Sequence, residues 1–195
     1  MGIPKRVAIF VSGTGSLLEA MIPQKDELGI VLVLADRPCR GLEIARAAGI
    51  ETELVKRTDF NPKRFDAERD VYTLRILQIL IGCQIDLVAM AGFMTILHRV
   101  IFERGFKGRI LNTHPALLPM FKGNHVVLDA ILAGVKVTGC TVHVATEVRD
   151  EGPILAQKAV DVLPNDTVET LWERIKVVER VLYPKTILEY AATLK

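Results

Sequence analysis

The sequence predicts a three-layer α/β fold with a mostly parallel sheet and an antiparallel addition in the C-terminal half. Three observations carry this. Residues 6–11 (RVAIFV) and 30–35 (IVLVLA) are short, unbroken apolar runs, as expected of strands covered on both faces. Strand-like and helix-like segments then alternate as far as residue 112, the pattern of a doubly covered parallel sheet. Beyond that the pattern changes: residues 137–145 alternate and are β-branched, and residues 153–160 follow as another strand after a short turn.

Each element has its own signals. The Gly-rich turn at residues 12–16 (SGTGS) leads into a short helix over 17–22. Residues 41–48 read as a helix, with Gly49 at the usual stop position. Residues 51–56 form a third strand, weaker by composition. Asn61 and Pro62 start a long helix reaching to about residue 81, with Gly82 as its stop. Residues 87–91 and 109–112 are the fourth and fifth strands. Thr167 is the predicted N-cap of a final helix over 167–182.

A chain of 195 residues, with no repeat, low-complexity tract or linker, is expected to form one domain over residues 1–195. Half of it is hydrophobic and a quarter is charged, as in an ordinary globular protein. Lys plus Arg number 25 against 23 Asp plus Glu, which argues against a dedicated nucleic-acid binder. The apolar run over 76–94 is broken by Gln78, Gln84 and Asp86, so no membrane partner is expected. The first strand starts within a few residues of Met1, so no signal peptide is expected. Cys39, Cys83 and Cys140 match neither a disulfide framework nor a zinc spacing, and a reducing cytoplasm is the simplest setting.

The chemistry concentrates in residues 108–119 (GRILNTHPALLP). Asn112 and His114 are two apart on a strand, so their side chains leave on the same face, and Pro115 ends the ladder. An amide and an imidazolium side by side both donate hydrogen bonds to a developing oxyanion; a capped polar strand end is the alternative. The turn at 12–16 offers backbone N–H groups to an anion, or is a tight strand-to-helix connection without a ligand. It lacks the Gly-Lys-Ser or Gly-Lys-Thr of a P-loop, and Leu18 stands where a dinucleotide fingerprint needs its third Gly, so a monophosphate fits better. Asp150, in the turn Asp-Glu-Gly-Pro, is either a carboxylate partner for His114 or an ordinary turn residue. His98, His125 and His143 show no metal-binding spacing, and no metal is expected. His125 reads as a loop residue where a ligand contact is possible, and His143 as a core histidine on a strand.

Six segments together resemble the glycinamide ribonucleotide formyltransferase family, the folate-dependent enzymes of purine synthesis. They are VSGTGSLLEA (11–20), GLEIARAAGIET (41–52), LVAMAGFMTIL (87–97), ILNTHPALLP (110–119), GCTVHVATEVRDEGPILAQ (139–157) and VLYP (181–184), in the family's order and over nearly the whole length. The Asn-x-His-Pro-x-Leu-Leu-Pro and Asp-x-Gly-Pro segments are shared by formyltetrahydrofolate users in general, whereas the Gly-x-Gly-Ser loop narrows the match. The resemblance implies a Rossmann-like formyltransferase fold whose N-terminal half binds the ribonucleotide and whose C-terminal half binds folate and carries catalysis. It implies small-molecule substrates, glycinamide ribonucleotide and 10-formyltetrahydrofolate, in a monomer or homodimer. By the same resemblance Asn112, His114 and Asp150 are catalytic. Gly13, Thr14, Gly15, Ser16 and Leu17 hold the phosphate with Arg64 or its neighbour Lys63, and Glu179 contacts the ribose. Met94, Thr95, Ile96 and Leu97, with Asn112 and Asp150, bind folate, together with the loop over 145–150.

The chain departs from the family at three positions. Leu17 stands where an Asn is usual, Thr95 where an Arg is common, and Val127 where a His or Ala is frequent. The departures point to substrate affinity, rather than chemistry, as what is altered. Alternatives are a sugar-nucleotide formyltransferase, which is usually longer, or a formyltetrahydrofolate hydrolase, which typically carries an extra N-terminal domain. A methionyl-tRNA formyltransferase would need a further C-terminal domain. A non-catalytic nucleotide or folate binder would not need Asn112, His114 and Asp150 together.

Overall fold

A computed structural model describes residues 5–59 and 65–194. Its centre is a seven-stranded sheet in the order β3-β2-β1-β4-β5-β6-β7. The strands are β1 (Val7–Val11), β2 (Ile30–Ala35), β3 (Glu51–Leu54), β4 (Leu87–Met90), β5 (Ile110–His114), β6 (Val137–Val144) and β7 (Ile154–Asp161). The first five are parallel; β6 and β7 run antiparallel to their neighbours. The helices are α1 (Ser16–Met21), α2 (Arg40–Ala47), α3 (Phe65–Gly82), α4 (Val126–Leu132) and α5 (Val168–Ala191).

The period of two along β1 sorts the layers. Val7, Ile9 and Val11 pack in one buried cluster with Leu18 and Met21 of α1, Leu42 of α2 and Tyr183 and Ile187 of α5. Ala8 and Phe10 point the other way, into a cluster with Tyr72, Ile76, Leu77 and Leu80 of α3. Both faces of the parallel strands are therefore covered, which is why their sequences are continuous apolar runs. A third cluster joins Val126 and Val127 to Cys140, Val160, Leu171 and Ile175, seating α4 and α5 on the antiparallel end.

The structure corrects the sequence reading in several places. The last helix runs to Ala191 with Pro184 inside it, rather than stopping at residue 182. Pro184 has no N–H for the carbonyl one turn back, but tertiary anchors hold the second half. Tyr183 and Ile187 are fully buried, the Tyr183 hydroxyl donates to the Leu111 carbonyl at 3.0 Å, and the Tyr190 hydroxyl donates to the Gly108 carbonyl at 2.7 Å. His125 is the residue preceding α4, a helix the sequence did not announce. The fifth strand continues through His114, and the third stops at Leu54. Gly82 remains helical, and Gln84 takes the left-handed turn beyond it (φ 52°). A short, irregular helical segment at Phe102–Phe106 was also not predicted. The expected start of α3 at Asn61 and Pro62 lies outside the described residues. Thr167 caps α5 as expected, its hydroxyl accepting from the Thr170 N–H while the Thr170 hydroxyl accepts from the Thr167 N–H. Among the described residues, no helix is long and apolar enough to cross a membrane.

Candidate active site

Parallel strands bring their C-terminal ends to one edge of a sheet, and a crevice opens where the strand order reverses. Here the order reverses between β1 and β4. A cleft of about 800 Å³ lies there, lined from the Gly-rich turn after β1, the segment after β4, the end of β5, the loop before β7 and one face of α5. Another cleft, of about 610 Å³ between β3 and α3, holds none of the predicted site residues.

The Gly-rich turn packs tightly on the start of α2. Gly15 has φ 71°, and a Cβ there would lie 2.7 Å from the Gly41 Cα, so only glycine fits. No side chain caps α1, which leaves its first-turn N–H groups facing the cleft end. Gly13, Thr14, Gly15, Ser16 and Leu17 all line the cleft. The Leu17 side chain is buried in the core, so any contribution of this residue to a phosphate comes from its backbone. Lys63 and Arg64 lie outside the described residues.

After β4, exposure alternates. Met94 and Ile96 are exposed apolar residues on the cleft wall, whereas Thr95 and Leu97 are buried. The Met94 N–H donates to the Ser12 hydroxyl at 2.9 Å, which ties this segment to β1. Thr95, buried at the cleft wall, donates to the buried carboxylate of Asp36 at 2.6 Å. Arg37 grips the same carboxylate through two bonds of 3.0 Å. Burial pushes the Asp36 carboxyl up, but hydrogen bonds from Arg37, Thr95 and Ser12 outweigh it and leave it below its ordinary value. On unfolding it returns to about 3.9, so the unfolded chain takes up the proton first. The stabilisation is complete above that pH and is lost as pH falls through the lower folded value. Asp36→Asn should therefore flatten the acid limb of stability as pH falls below about 4, read as urea midpoints. An acid limb identical to the parent's would show that this carboxylate contributes nothing.

At the end of β5 the antiparallel register sets Asn112 opposite His143. The Asn112 amide nitrogen lies 3.2 Å from His143 Nε2, and His143 Nδ1 lies 3.2 Å from the Val144 carbonyl. The amide donates, so the imidazole accepts through Nε2 and carries its proton on Nδ1. Burial lowers the His143 pKa, which favours this neutral ring. One Asn112 N–H is thus fixed and the other is left for the cleft.

His114 and Asp150 meet, although 36 positions separate them in the chain. His114 Nδ1 lies 3.6 Å from Asp150 Oδ1, and both side chains are 4 % exposed. His114 Nε2 donates to the Phe121 carbonyl at 2.8 Å. Both ring nitrogens face oxygen acceptors, so the doubly protonated ring satisfies both. Asp150 has φ 58°, and Gly152 two residues on lets the chain turn there, since a Cβ would lie 1.7 Å from the Val144 carbonyl oxygen.

On α5, Glu179 faces the cleft and accepts from the Thr113 hydroxyl at 3.0 Å. Burial pushes its carboxyl up. The nearby Cys140 thiol is pushed up to about 12 by burial, so it stays a protonated, unreactive thiol. Trp172 and Lys176 also line the cleft and were missed by the sequence reading. They precede Glu179 by seven and three positions, a helical face that periodicity could have found. Arg37, Arg57 and the Phe121 carbonyl were missed as well, whereas Arg149 lies in the loop over 145–150 that the resemblance assigns to folate; Arg37 is the second residue past β2, on the functional edge of the sheet. Among the described residues no group of three or more His, Cys, Asp or Glu could hold a metal ion.

Comparison with known proteins agrees with this arrangement. The family described as formyl transferase matches residues 5–187. A phosphoribosylglycinamide formyltransferase of Mycobacterium tuberculosis is 46 % identical over 182 residues, 92 % of this chain and 81 % of that protein. The crystal structure of phosphoribosylglycinamide formyltransferase from Brucella melitensis superposes with a TM-score of 0.86 at 43 % identity, covering 99 % of this chain and 98 % of that one. Glycinamide ribonucleotide transformylase 1 from Symbiobacterium toebii gives a TM-score of 0.90 at 36 % identity, covering 98 % and 90 %. A family match over residues 5–187, nearly the full length, means that the chain belongs to the formyl transferase family.

Proposed function

We propose that this protein transfers the formyl group of 10-formyltetrahydrofolate to the amine of glycinamide ribonucleotide, giving formylglycinamide ribonucleotide and tetrahydrofolate in purine synthesis. The observation that carries this reading is His114 held against Asp150 beside Asn112, in the cleft that the Gly-rich turn also lines. Curated relatives named for the same reaction support it.

The amine nitrogen attacks the formyl carbon, and the carbonyl electrons move onto oxygen. Asn112 donates its remaining N–H to that oxyanion. His114 donates as well, exchanging the Phe121 carbonyl for the oxyanion, because a charged acceptor makes roughly twice the hydrogen bond of a neutral one. The tetrahedral intermediate collapses by breaking the bond from carbon to the folate N10. The proton lost by the attacking amine passes to N10 through water, with Asp150 orienting His114 and assisting the transfer. The Gly-rich turn holds the substrate phosphate through backbone N–H groups, with Arg64 or Lys63 as the basic ligand. Met94 and Ile96 offer apolar surface to the pterin, and the backbone over 94–97 and the loop over 145–150 offer its polar partners.

Glu179 accepts from the ribose hydroxyls. A carboxylate in that role loses about tenfold in affinity when made neutral, the range of a hydrogen bond to a charged group. Its folded pKa is raised, so its stabilising form is the protonated one, and stability is lost as pH rises through the folded value. Glu179→Gln is thus expected to raise the ribonucleotide KM about tenfold while leaving urea stability at pH 7 unchanged or higher. An unchanged KM would remove Glu179 from the ribose site.

The deciding experiment measures tetrahydrofolate formation from 10-formyltetrahydrofolate with and without glycinamide ribonucleotide. Turnover that requires the ribonucleotide supports the reading, turnover without it means hydrolysis, and no turnover in either case means another acceptor.

A further inference from the structure

Two loops flank His114. One follows the β5 segment and contains Phe121, Lys122, Gly123 and Asn124; the other precedes β7 and contains Arg149, Asp150 and Glu151. They are joined by successive contacts that run in opposite order along the two segments. Lys122 Nζ lies 2.8 Å from Glu151 Oε1, the Gly123 N–H donates to Asp150 Oδ2 at 3.1 Å, and Arg149 donates to the Asn124 side-chain oxygen. Arg149 Nε also lies 3.4 Å from Asp150 Oδ2, so one guanidinium touches both the far loop and the carboxylate that faces His114. The middle contact is half-buried, with its Asp150 side chain only 4 % exposed, and the outer two are exposed, Lys122 41 % and Glu151 49 %.

Backbone geometry marks the same place. Among the described residues, the non-glycine residues with positive φ are Gln84, Phe121 and Asp150. The latter two face each other across His114, Phe121 presenting its carbonyl to Nε2 and Asp150 its carboxylate to Nδ1. A left-handed conformation is costly for an L-residue and persists only where its surroundings over-determine it.

We infer that Lys122–Glu151 and Asn124–Arg149 form a clasp between the two loops that holds Asp150 against His114. The four side chains are positioning residues for the catalytic pair, and their kinetic role rests on the formyl transfer proposed above. None of them carries a reacting atom. Their effect is to keep the Gly123 N–H on Asp150, so that the carboxylate stays aimed at Nδ1 when the oxyanion draws Nε2 away from Phe121. An exposed ion pair by itself contributes little. Reversing Lys122, however, sets three carboxylates along one seam at Asp150.

The test is a charge swap with Lys122→Glu, Glu151→Lys and the double variant, read by kinetics and by amide hydrogen exchange at Gly123 in the substrate-free protein. Each single variant is expected to lower kcat about fivefold, with the ribonucleotide KM kept, because the Gly-rich turn and Glu179 are not part of the seam. Gly123 exchange should accelerate by a similar factor. The double variant restores the pair in reverse and should recover both readouts to within about twofold. Singles with parental kcat and a protected Gly123 would overturn the clasp, and so would a double variant no better than the worse single. If the parent fails to formylate the ribonucleotide, the proposed function fails, and Gly123 exchange in the swap series alone decides the clasp.

Discussion

Replacing His114 by alanine is expected to lower kcat about 10³-fold while the ribonucleotide KM changes by less than about threefold. In the proposed reaction the imidazolium is the charged donor to the oxyanion, and its loss would leave the Asn112 amide alone in that role. Transition-state charge is what it stabilises, so kcat and kcat/KM fall together. The phosphate and ribose contacts proposed above lie on the Gly-rich turn and α5, so ground-state binding of the ribonucleotide is expected to persist. The side chain is also a link to Phe121, so the urea midpoint must be measured beside the kinetics to separate lost chemistry from lost fold. A fall of less than about tenfold in a folded variant would remove His114 from the catalytic step.

Asp150→Asn is the second large effect, expected to reduce kcat about 10²-fold. The substitution is nearly isosteric, and the amide oxygen still accepts from the Gly123 N–H. Asparagine also tolerates the left-handed backbone that Asp150 adopts at φ 58°. What disappears is the charge 3.6 Å from His114 Nδ1, and with it, in the proposed reaction, the carboxylate that assists the proton towards N10. Asp150→Asn and Asp150→Ala should therefore be similarly slow. A fast Asn variant beside a slow Ala variant would assign Asp150 a role in loop shape instead of charge.

The layers of the fold were legible because burial on both faces leaves unbroken apolar runs such as residues 30–35, and β2 occupies that span without shift. The Gly-rich turn was legible because a backbone that must reach φ 71° beside Gly41 needs glycine. Pro184 misled, since local rules end a helix near proline, while the burial of Tyr183 and Ile187 carries α5 onward. Helix α4 was missed because its seven residues give too short a period to register.

Within the candidate site, Asn112 and His114 came from the sequence, because a spacing of two on a strand fixes a shared face without reference to anything distant. The partners of that pair came from tertiary structure. His143 meets Asn112 only through the antiparallel register of β5 with β6. Asp150 meets His114 only because the following turn closes on Gly152 and two left-handed residues bring the loops together. Local conformation is encoded in neighbouring residues, whereas a contact across 36 positions depends on strand register and loop closure, which no short window of sequence contains.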